Sequence, residues 1–166
     1  VGTGEVLASV TYPSYDNNEL VNTFNNAYYN DLLQDGNTPL VNRPLKQKKA
    51  SGSTFKMITA LAGLETGTIT PSTTIVDKGL FKDAGVPYAR CWIYSNTGGT
   101  HGPVNVSHAL EVSCNYFFYT VGSRLYENTD DQLYKTAALY GLTTKTGIDL
   151  PGEGKGQFHK LDVASD

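Results

Sequence analysis

The spacing of glycine constrains the fold of this chain more than any other feature. Seventeen glycines are spread over 166 residues, together with seven prolines. Because these residues favour turns and interrupt regular structure, the sequence predicts short helices and strands joined by many loops rather than a bundle of long helices. With 39% hydrophobic residues, one globular domain of this length can still bury a core, removing about 70% of the surface that the unfolded chain exposes.

Charge and apolar patterning exclude several classes of partner. The formal net charge is −3, so no general basic surface for nucleic acid or an anionic membrane is expected. No stretch approaches the run of about 18 apolar residues that spans a bilayer, and the N-terminal residues lack the pattern of a signal peptide. We expect no nucleic-acid partner, and either a protein that is soluble as it stands or one whose membrane anchor lies outside this sequence.

The cysteines and histidines give no metal signature in the sequence. Cys91 and Cys114 are too few for a disulfide framework and have no partners at the spacing of zinc ligands. Whether they form a disulfide depends on geometry that the sequence does not give. We interpret Cys114 as a small buried residue and assign His101, His108 and His159 to structural or solvent roles. No metal and no cofactor are predicted.

The clearest helix in the sequence runs from about Ser53 to Glu65. Its apolar residues recur at helical spacing, and Gly67 supplies a natural C-terminal stop. Further helices are predicted for about Tyr28 to Leu33, for two pieces divided near Ser113, and for about Asp131 to Tyr140.

The N-terminal segment has the pattern of a strand. Apolar and polar side chains alternate between Val6 and Thr11, which is typical of a strand with one buried face, and Pro13 ends the pattern. We therefore divide the chain into an early strand segment (1–16), a connecting region (17–52), a mainly helical part (53–145) and a turn-rich tail (146–166).

Ser53 and Lys56 stand about one turn apart at the start of the predicted helix. A serine at this position commonly caps the helix by accepting a hydrogen bond from a free backbone N–H, and a lysine beside it is commonly solvated. However, residues at i and i+3 share one helix face, so the lysine amine can approach the serine hydroxyl. A partly desolvated lysine can be neutral and accept the serine proton. The pair is either a cap with an ordinary lysine or a nucleophile with its base.

A second polar pair, Ser113 and Asn115, lies in the segment SCNYFFY at the predicted break between two helical pieces. At such a break, these side chains often bond to local backbone groups. Beside Ser53 and Lys56 they have a second interpretation, because a hydroxyl can relay a proton and an amide can orient both a lysine and a substrate amide.

Four segments occur together in this chain: TGEVLASVTYPSYDNN, GSTFKMITALAGLETG, ALEVSCNYFFY and TGIDLPGE. They resemble the transpeptidase domain of penicillin-binding proteins of the high-molecular-weight class B type, whose motif set includes Ser-x-x-Lys and a Ser-x-Asn-type element. The resemblance is spread over nearly the whole chain. It implies an α+β fold in which helices pack on an antiparallel sheet, with the later strands of that sheet missing from this chain.

The resemblance also implies roles for the polar residues. Ser53 corresponds to the acylated nucleophile, Lys56 to its proton acceptor, and Ser113 with Asn115 to the second motif that lines the cleft. The implied substrate is the D-alanyl-D-alanine end of a peptidoglycan stem peptide, and β-lactam antibiotics such as penicillin imitate it. By the same resemblance, the intact protein is expected on the outer face of the bacterial cytoplasmic membrane, held by an N-terminal anchor and working with a glycosyltransferase partner.

The third motif of the family is Lys-Thr-Gly or Lys-Ser-Gly on a strand beside the nucleophile, where it supplies an oxyanion donor. Lys145, Thr146 and Gly147 have this sequence, but their surroundings, GLTTKTGIDLPGE, lack the alternating apolar residues of a core strand. We interpret the match as coincidence and expect the true third motif beyond Asp166, with the remainder of the domain in the same chain or on a separate one. We expect the fragment alone to be inactive.

Two other functions stay open from the sequence. A serine β-lactamase is one, because some of those enzymes share Ser-Thr-Phe-Lys, although SCNYFFY and TGIDLPGE favour the transpeptidase. A non-catalytic penicillin-binding sensor or scaffold that uses the same pocket is the other. Turnover separates them, since a sensor stays acylated, a β-lactamase clears the drug rapidly, and a transpeptidase clears it slowly.

Overall fold

The structure, a computed structural model, describes residues 2–83, 86–128 and 131–158. These residues form two compact units, one made of the residues up to 49 with 145–156, and the other made of 50–144 with the residues that follow 156. The divisions lie near the predicted segment boundaries at residues 52 and 145. Within the described ranges, no helix has the length and apolar character needed to cross a bilayer.

The first unit is built around short helices, which are α1 (Asn18–Val21), α2 (Asn26–Gln34) and α3 (Arg43–Lys46). Helix α2 begins after Asn25, whose side chain accepts a hydrogen bond from the Tyr28 N–H. This element confirms the helix predicted for this part of the chain. The later segment is tied to α3, because the Gly154 N–H donates to the Leu45 carbonyl at 2.8 Å.

The strand predicted within residues 1–16 does not form, which corrects the sequence interpretation. Residues 2–16 have no strand assignment and no strand partner among the described residues. Val6 is 57% exposed and its neighbour Leu7 is 94% exposed, so neither face of the segment is buried. The physical reason is that a strand is stabilised by a ladder of hydrogen bonds to a partner, and alternation alone supplies no partner.

The described part of the second unit contains helices and two small sheets. Its elements are a 3₁₀ turn (Gly52–Phe55), α4 (Lys56–Glu65), β1 (Ile75–Asp77), β2 (Leu80–Asp83), β3 (Val86–Arg90), α5 (Trp92–Thr97), β4 (Gly102–Val104), α6 (Val106–Glu111), α7 (Asn115–Asn128) and α8 (Gln132–Leu139). Strand β1 pairs antiparallel with β4, placing Asp77 opposite Gly102, and β2 pairs antiparallel with β3. The predicted α+β class is therefore confirmed.

The predicted helices of this unit are also confirmed. The Ser53 helix has a tighter start than expected, because its first turn is 3₁₀ and its α-helical part begins at Lys56. It stops before Gly67, which has φ +70 and donates its N–H to the Leu64 carbonyl at 3.2 Å. The break predicted near Ser113 separates α6 from α7, and the last predicted helix is α8.

Helix α4 packs against α7 and α8 through small and apolar residues. Ala62 of α4 and Phe117 and Val121 of α7 are fully buried, and a large apolar side chain contributes about 1.5–3 kcal/mol when it is buried. Gly63 allows the close approach, since a Cβ at this position would lie 2.9 Å from Val121 Cγ1. This packing fixes the first turn of α4 beside the start of α7, where the polar residues of interest lie.

Candidate functional site

Ser53 lies in the 3₁₀ turn that leads into α4, and its side chain is exposed. Its hydroxyl is 3.2 Å from Ser113 Oγ, which donates to it. The side chain of Ser53 makes no capping hydrogen bond to the helix among the described residues, so the interpretation of this serine as an ordinary cap receives no support. The turn is closed instead by Thr54 Oγ1, which donates to the Ser51 carbonyl at 2.7 Å.

Lys56 is the first residue of α4, and its amine is half-buried against the start of α7. Its Nζ donates to Ser113 Oγ at 2.8 Å, to the Ser113 carbonyl at 2.8 Å and to Asn115 Oδ1 at 2.6 Å. Three acceptors match the three hydrogens of an ammonium group. The structure thus brings together all four residues that the sequence selected.

The break between α6 and α7 presents these acceptors. Ser113 has φ +52, a left-handed conformation that costs a residue other than glycine about 1–3 kcal/mol. Asn115 starts α7 and donates its Nδ2 to the Arg90 carbonyl at the end of β3, at 3.3 Å. This second contact orients the amide so that its oxygen is directed at Lys56. A strained residue and a doubly bound amide therefore set the position of the lysine amine.

Ser113 connects the two residues that the sequence paired directly. Among the described residues, no hydrogen bond joins Lys56 Nζ to Ser53 Oγ, because the amine uses its hydrogens on Ser113 and Asn115. The contact runs from Lys56 to Ser113 and from Ser113 to Ser53. A hydroxyl both donates and accepts, so a proton can pass along this line in either direction.

Burial changes the acid–base chemistry of Lys56. Desolvation lowers the pKa of Lys56 below the ordinary lysine value and outweighs the opposing electrostatic contributions of the two nearby cysteines. The ring of Phe118, which is buried, lies 5.7 Å from Nζ. A lowered pKa raises the fraction of neutral amine at a given pH, and only the neutral amine can accept a proton.

The Lys145–Thr146–Gly147 triplet lies in a loop rather than on a strand. The Thr146 N–H and hydroxyl donate to Glu153 Oε1 at 2.6 and 2.7 Å, and the Gly147 N–H donates to Oε2 at 3.3 Å. These bonds lower the pKa of the Glu153 carboxyl. Because these donors are used within their own loop, the geometry agrees with the interpretation that the triplet is not the third motif.

Cys114, which lies between Ser113 and Asn115 in the sequence, belongs to a second polar cluster that the sequence did not reveal. Asp77, Cys91, His101 and Cys114, hereafter the four-residue centre, place one ligand atom each within 4.8 Å of all the others. The two sulfurs are 3.9 Å apart, Cys91 Sγ is 3.4 Å from His101 Nδ1, and Asp77 Oδ2 is 3.6 Å from Cys114 Sγ and 2.9 Å from His101 Nδ1.

Three of these four separations match a tetrahedral zinc ion, whereas the His101–Asp77 separation of 2.9 Å is a hydrogen-bond distance and would have to lengthen. Zinc bonds of about 2.3 Å to sulfur and about 2.0–2.1 Å to nitrogen or oxygen imply tetrahedral edges of about 3.8 Å between sulfurs, about 3.5 Å from sulfur to nitrogen or oxygen, and about 3.3 Å from nitrogen to oxygen. Two sulfurs, one imidazole and one carboxylate form a donor set that suits zinc. The four-residue centre can therefore hold this ion, and its nearest sequence neighbours, Cys91 and His101, are 10 residues apart.

Backbone groups hold the carboxylate of this centre in place. Asp77 Oδ1 accepts from the Gly79 N–H at 2.7 Å, and Oδ2 accepts from the His101 N–H at 3.1 Å. Burial alone would raise the pKa of Asp77, but these hydrogen bonds outweigh it and the pKa is lowered. Burial raises the pKa of Cys114 to about 12. The Nε2 of His101 is buried and has no partner in the described part of the chain, so Nδ1 is the nitrogen that serves the centre.

Comparison with known proteins decides the family. Residues 1–166 match the family described as penicillin binding protein transpeptidase domain. The chain belongs to this family. The resemblance and the partial transpeptidase fold expected from the sequence are therefore confirmed.

Individual relatives of this transpeptidase domain are peptidoglycan enzymes and penicillin-binding proteins. The peptidoglycan D,D-transpeptidase MrdA of Escherichia coli K12 is 39% identical over 156 residues, which cover 94% of this chain and 24% of that protein. A Pseudomonas aeruginosa PBP2 structure in complex with WCK 5153 has a TM-score of 0.81 at 31% identity, covering 95% of this chain and 34% of that one. PBP2 of Helicobacter pylori in complex with MreC has a TM-score of 0.79 at 32% identity, covering 92% and 27%. The chain thus spans about a quarter of the length of the curated relative, and about a quarter to a third of these solved chains.

Proposed function

We propose that this chain supplies the nucleophile and the base of a peptidoglycan D,D-transpeptidase. The observation that carries the proposal is the hydrogen-bonded line from Lys56 through Ser113 to Ser53, with Asn115 holding the amine from a second side. An exposed hydroxyl at the end of a line that begins at a partly desolvated amine has the arrangement of an activated serine. The proposed substrate is the D-alanyl-D-alanine end of a peptidoglycan stem peptide.

In the first step, Ser53 Oγ attacks the carbonyl carbon of the penultimate D-alanine. The Ser53 proton moves to Ser113, whose own proton moves to the neutral Lys56 amine. When the tetrahedral intermediate collapses, the C–N bond breaks and the same line returns a proton to the departing amine of the last D-alanine. The product is an ester on Ser53 and free D-alanine.

In the second step, an amine from a neighbouring stem peptide attacks this ester. Its proton passes to Lys56, the C–O bond to Ser53 breaks, and Ser113 donates its proton to the Ser53 oxygen while it takes one back from Lys56. In both steps, Asn115 keeps the Lys56 amine aligned, because its own side chain is held by the Arg90 carbonyl. A new peptide cross-link forms and the serine hydroxyl is regenerated.

The wider setting of this activity is part of the same proposal. β-Lactams acylate Ser53 as substrate mimics, and the intact protein works at the outer face of the cytoplasmic membrane, anchored there, with a glycosyltransferase as partner. The chain alone is insufficient for turnover, since the loop that carries Lys145–Gly147 uses its donors internally. The H. pylori PBP2 was solved in complex with MreC, and this family relationship makes an MreC-type protein a further proposed partner.

Covalent labelling with a fluorescent penicillin tests the proposal on this chain and on a form extended past Asp166. We expect the extended form to label at Ser53 and Ser53→Ala to abolish labelling, while Ser51→Ala, a matched exposed serine two positions earlier, labels normally. Labelling that survives Ser53→Ala would reject the assignment. Slow release of the label with acceptance of amine donors identifies a transpeptidase, whereas rapid release identifies a β-lactamase and permanent labelling identifies a sensor.

A further inference from the structure

The segment 90–92, hereafter the clamp segment, contacts the junction between α6 and α7 at both of its ends. The Arg90 carbonyl accepts a hydrogen bond from the Asn115 amide at 3.3 Å. Two residues later, the indole Nε1–H of Trp92 donates to the Val112 carbonyl at 3.0 Å. The clamp segment therefore holds the chain on each side of Ser113, the residue through which the proton line runs.

The clamp segment is itself fixed by the fold. The Cys91 N–H donates to the Gly79 carbonyl at 2.8 Å, and its carbonyl accepts from the Ser95 N–H at 3.1 Å in the first turn of α5. The side chain of Cys91 is fully buried, and the Trp92 ring lies against the His101 ring with the centroids 5.5 Å apart. The indole N–H is thus presented from a well-anchored position.

The hydrogen bond from Trp92 acts on the peptide plane that precedes Ser113. The Val112 carbonyl in this plane comes just after α6, where carbonyls no longer find donors along their own helix. The carbonyl of the next plane, that of Ser113, accepts from Lys56 Nζ at 2.8 Å. Because peptide units are planar, the orientation of these two planes sets φ and ψ of Ser113. The indole and the amine therefore fix this residue from its two sides.

Ser113 needs this support, because its φ is +52. A left-handed conformation is strained in a residue other than glycine and persists only where the surrounding structure holds it in place. Its Oγ is 2.8 Å from Lys56 Nζ and 3.2 Å from Ser53 Oγ. Rotation of the preceding peptide plane would move the Ser113 side chain and lengthen these contacts.

We propose that Trp92 is a positioning residue for the proton line. Its indole N–H holds the peptide plane between Val112 and Ser113, which keeps the Ser113 hydroxyl within reach of the lysine amine and the exposed serine. An indole N–H only donates, so it can hold a carbonyl in place while the neighbouring hydroxyl exchanges protons. The Trp92 side chain is 44% exposed, so filling the core is not its main contribution. The inference rests on the proposed function of Ser53.

Hydrogen exchange of the indole tests the hydrogen bond without using any activity. The 166 residues contain one tryptophan, and in the extended form its indole signal is identified by isotopic labelling of tryptophan nitrogen and by its loss in Trp92→Phe. We expect this proton to exchange about 2- to 10-fold more slowly than that of free tryptophan, the protection that one hydrogen bond supplies. Exchange as fast as in free tryptophan would overturn the proposal.

Saturation kinetics with fluorescent penicillin test the positioning role in the extended form. Trp92→Phe keeps an aromatic ring and removes the N–H, so we expect the acylation rate constant to fall about 2- to 10-fold. The dissociation constant of the noncovalent complex should stay the same, because the indole acts on the proton line. Tyr140→Phe, which removes a polar group from another exposed ring, is the control and should label normally. An unchanged acylation rate constant in Trp92→Phe would contradict the proposal.

Combining Trp92→Phe with Ser113→Ala separates positioning from a general loss of structure. If the indole acts through the Ser113 hydroxyl, its removal should have little further effect once that hydroxyl is absent. Equal fold losses in the two backgrounds would refute the positioning role. Circular dichroism identifies a variant that has failed to fold. In that case, the kinetics are measured with benzothienylalanine in place of Trp92, because this analogue keeps the shape of the indole and replaces its N–H with sulfur.

Failure of the proposed function would give a different result. A parent protein that does not label at Ser53 would count against that function, while the indole exchange would still decide whether Trp92 holds the junction. A parent protein that labels normally but has a fast-exchanging indole would keep the function and reject the role of Trp92.

Discussion

The two sides of the junction between α6 and α7 hold polar clusters of different kinds. Ser113 and Asn115 meet a half-buried amine through hydrogen bonds, next to an exposed hydroxyl. Cys114, which lies between them in sequence, meets Asp77 and Cys91 in the interior. One short segment therefore contributes to an open proton line and to a closed cluster of metal-type ligands. The difference shows that neighbouring residues can contribute to two separate clusters, one exposed and one buried. This requires a sharp turn of the backbone between them, which the left-handed conformation of Ser113 supplies.

The largest effect is expected in the cluster around the exposed Ser53 hydroxyl, from Lys56→Arg. Arginine keeps the positive charge but does not become neutral at usable pH, so it can hold the acceptors without accepting a proton. We expect the acylation rate of the extended form to fall by about 10²–10⁴-fold, the usual contribution of a general base. Lys82→Arg, at an exposed lysine of β2, serves as the control. A normal rate in Lys56→Arg would show that the lysine acts only through its charge.

Ser113 tests whether the proton line runs through the junction itself. Ser113→Ala and Ser113→Gly both remove the hydroxyl and should slow acylation by about 10²-fold. They should differ in stability, because φ is +52 at this position and a left-handed conformation costs a residue with a Cβ about 1 kcal/mol or more. Urea unfolding should therefore show the glycine variant to be more stable than the alanine variant. Equal stability would argue against strain at the junction.

The buried side of the junction, around the four-residue centre, is tested by substituting two glycines that have the same backbone conformation. Gly79 and Gly98 have φ of +78 and +74, but a Cβ at Gly79 would lie 2.2 Å from the Tyr94 ring, whereas a Cβ at Gly98 would meet nothing within 4 Å. Gly98→Ala should cost about 1 kcal/mol for the conformation alone, and Gly79→Ala about 1–3 kcal/mol more for the overlap. Chemical unfolding measures both, and similar losses would mean that the Tyr94 ring moves aside freely.

The smallest expected effect is a change in the pH dependence of stability. The pKa of Lys56 is lowered in the folded protein, so the unfolded state binds more protons than the folded state at pH values between the lowered pKa and the ordinary lysine value. In that window, the free energy of unfolding should rise with pH. Lys56→Met should reduce the slope, as measured by urea unfolding at a series of alkaline pH values. An identical slope in both proteins would assign the effect to another group.

Local signals explain what the sequence predicted correctly. The helix that begins near Ser53 and stops before Gly67, and the break at Ser113, each depend on residues within a few positions of one another. The family motifs identified Ser53, Lys56, Ser113 and Asn115 as candidates for the same reason, and the structure brings these four together. Their catalytic roles stay a proposal.

Features that depend on distant partners were not predictable in this way. The alternation between Val6 and Thr11 has the period of a strand, but no described segment pairs with it. The residues of the four-residue centre are far apart in the sequence, since Asp77 and Cys114 are separated by 37 positions. No motif with a fixed spacing could therefore have indicated the centre. The sequence did suggest Ser113 as a proton relay, but it also predicted a direct approach of Lys56 to Ser53, because spacing on a helix does not reveal that other acceptors occupy the lysine amine.

The three hydrogen bonds of Lys56 have a consequence for the start of the proposed reaction cycle. An ammonium group whose hydrogens all point at acceptors is a stable resting form, and losing one proton leaves one of those acceptors without its donor. A hydrogen bond to a charged group contributes about 1.5–3 kcal/mol, so readiness for chemistry carries an energetic penalty that the arriving substrate can offset by donating to the vacated oxygen. Bound substrate would then favour the neutral form of Lys56, and without substrate Ser53 would stay unactivated.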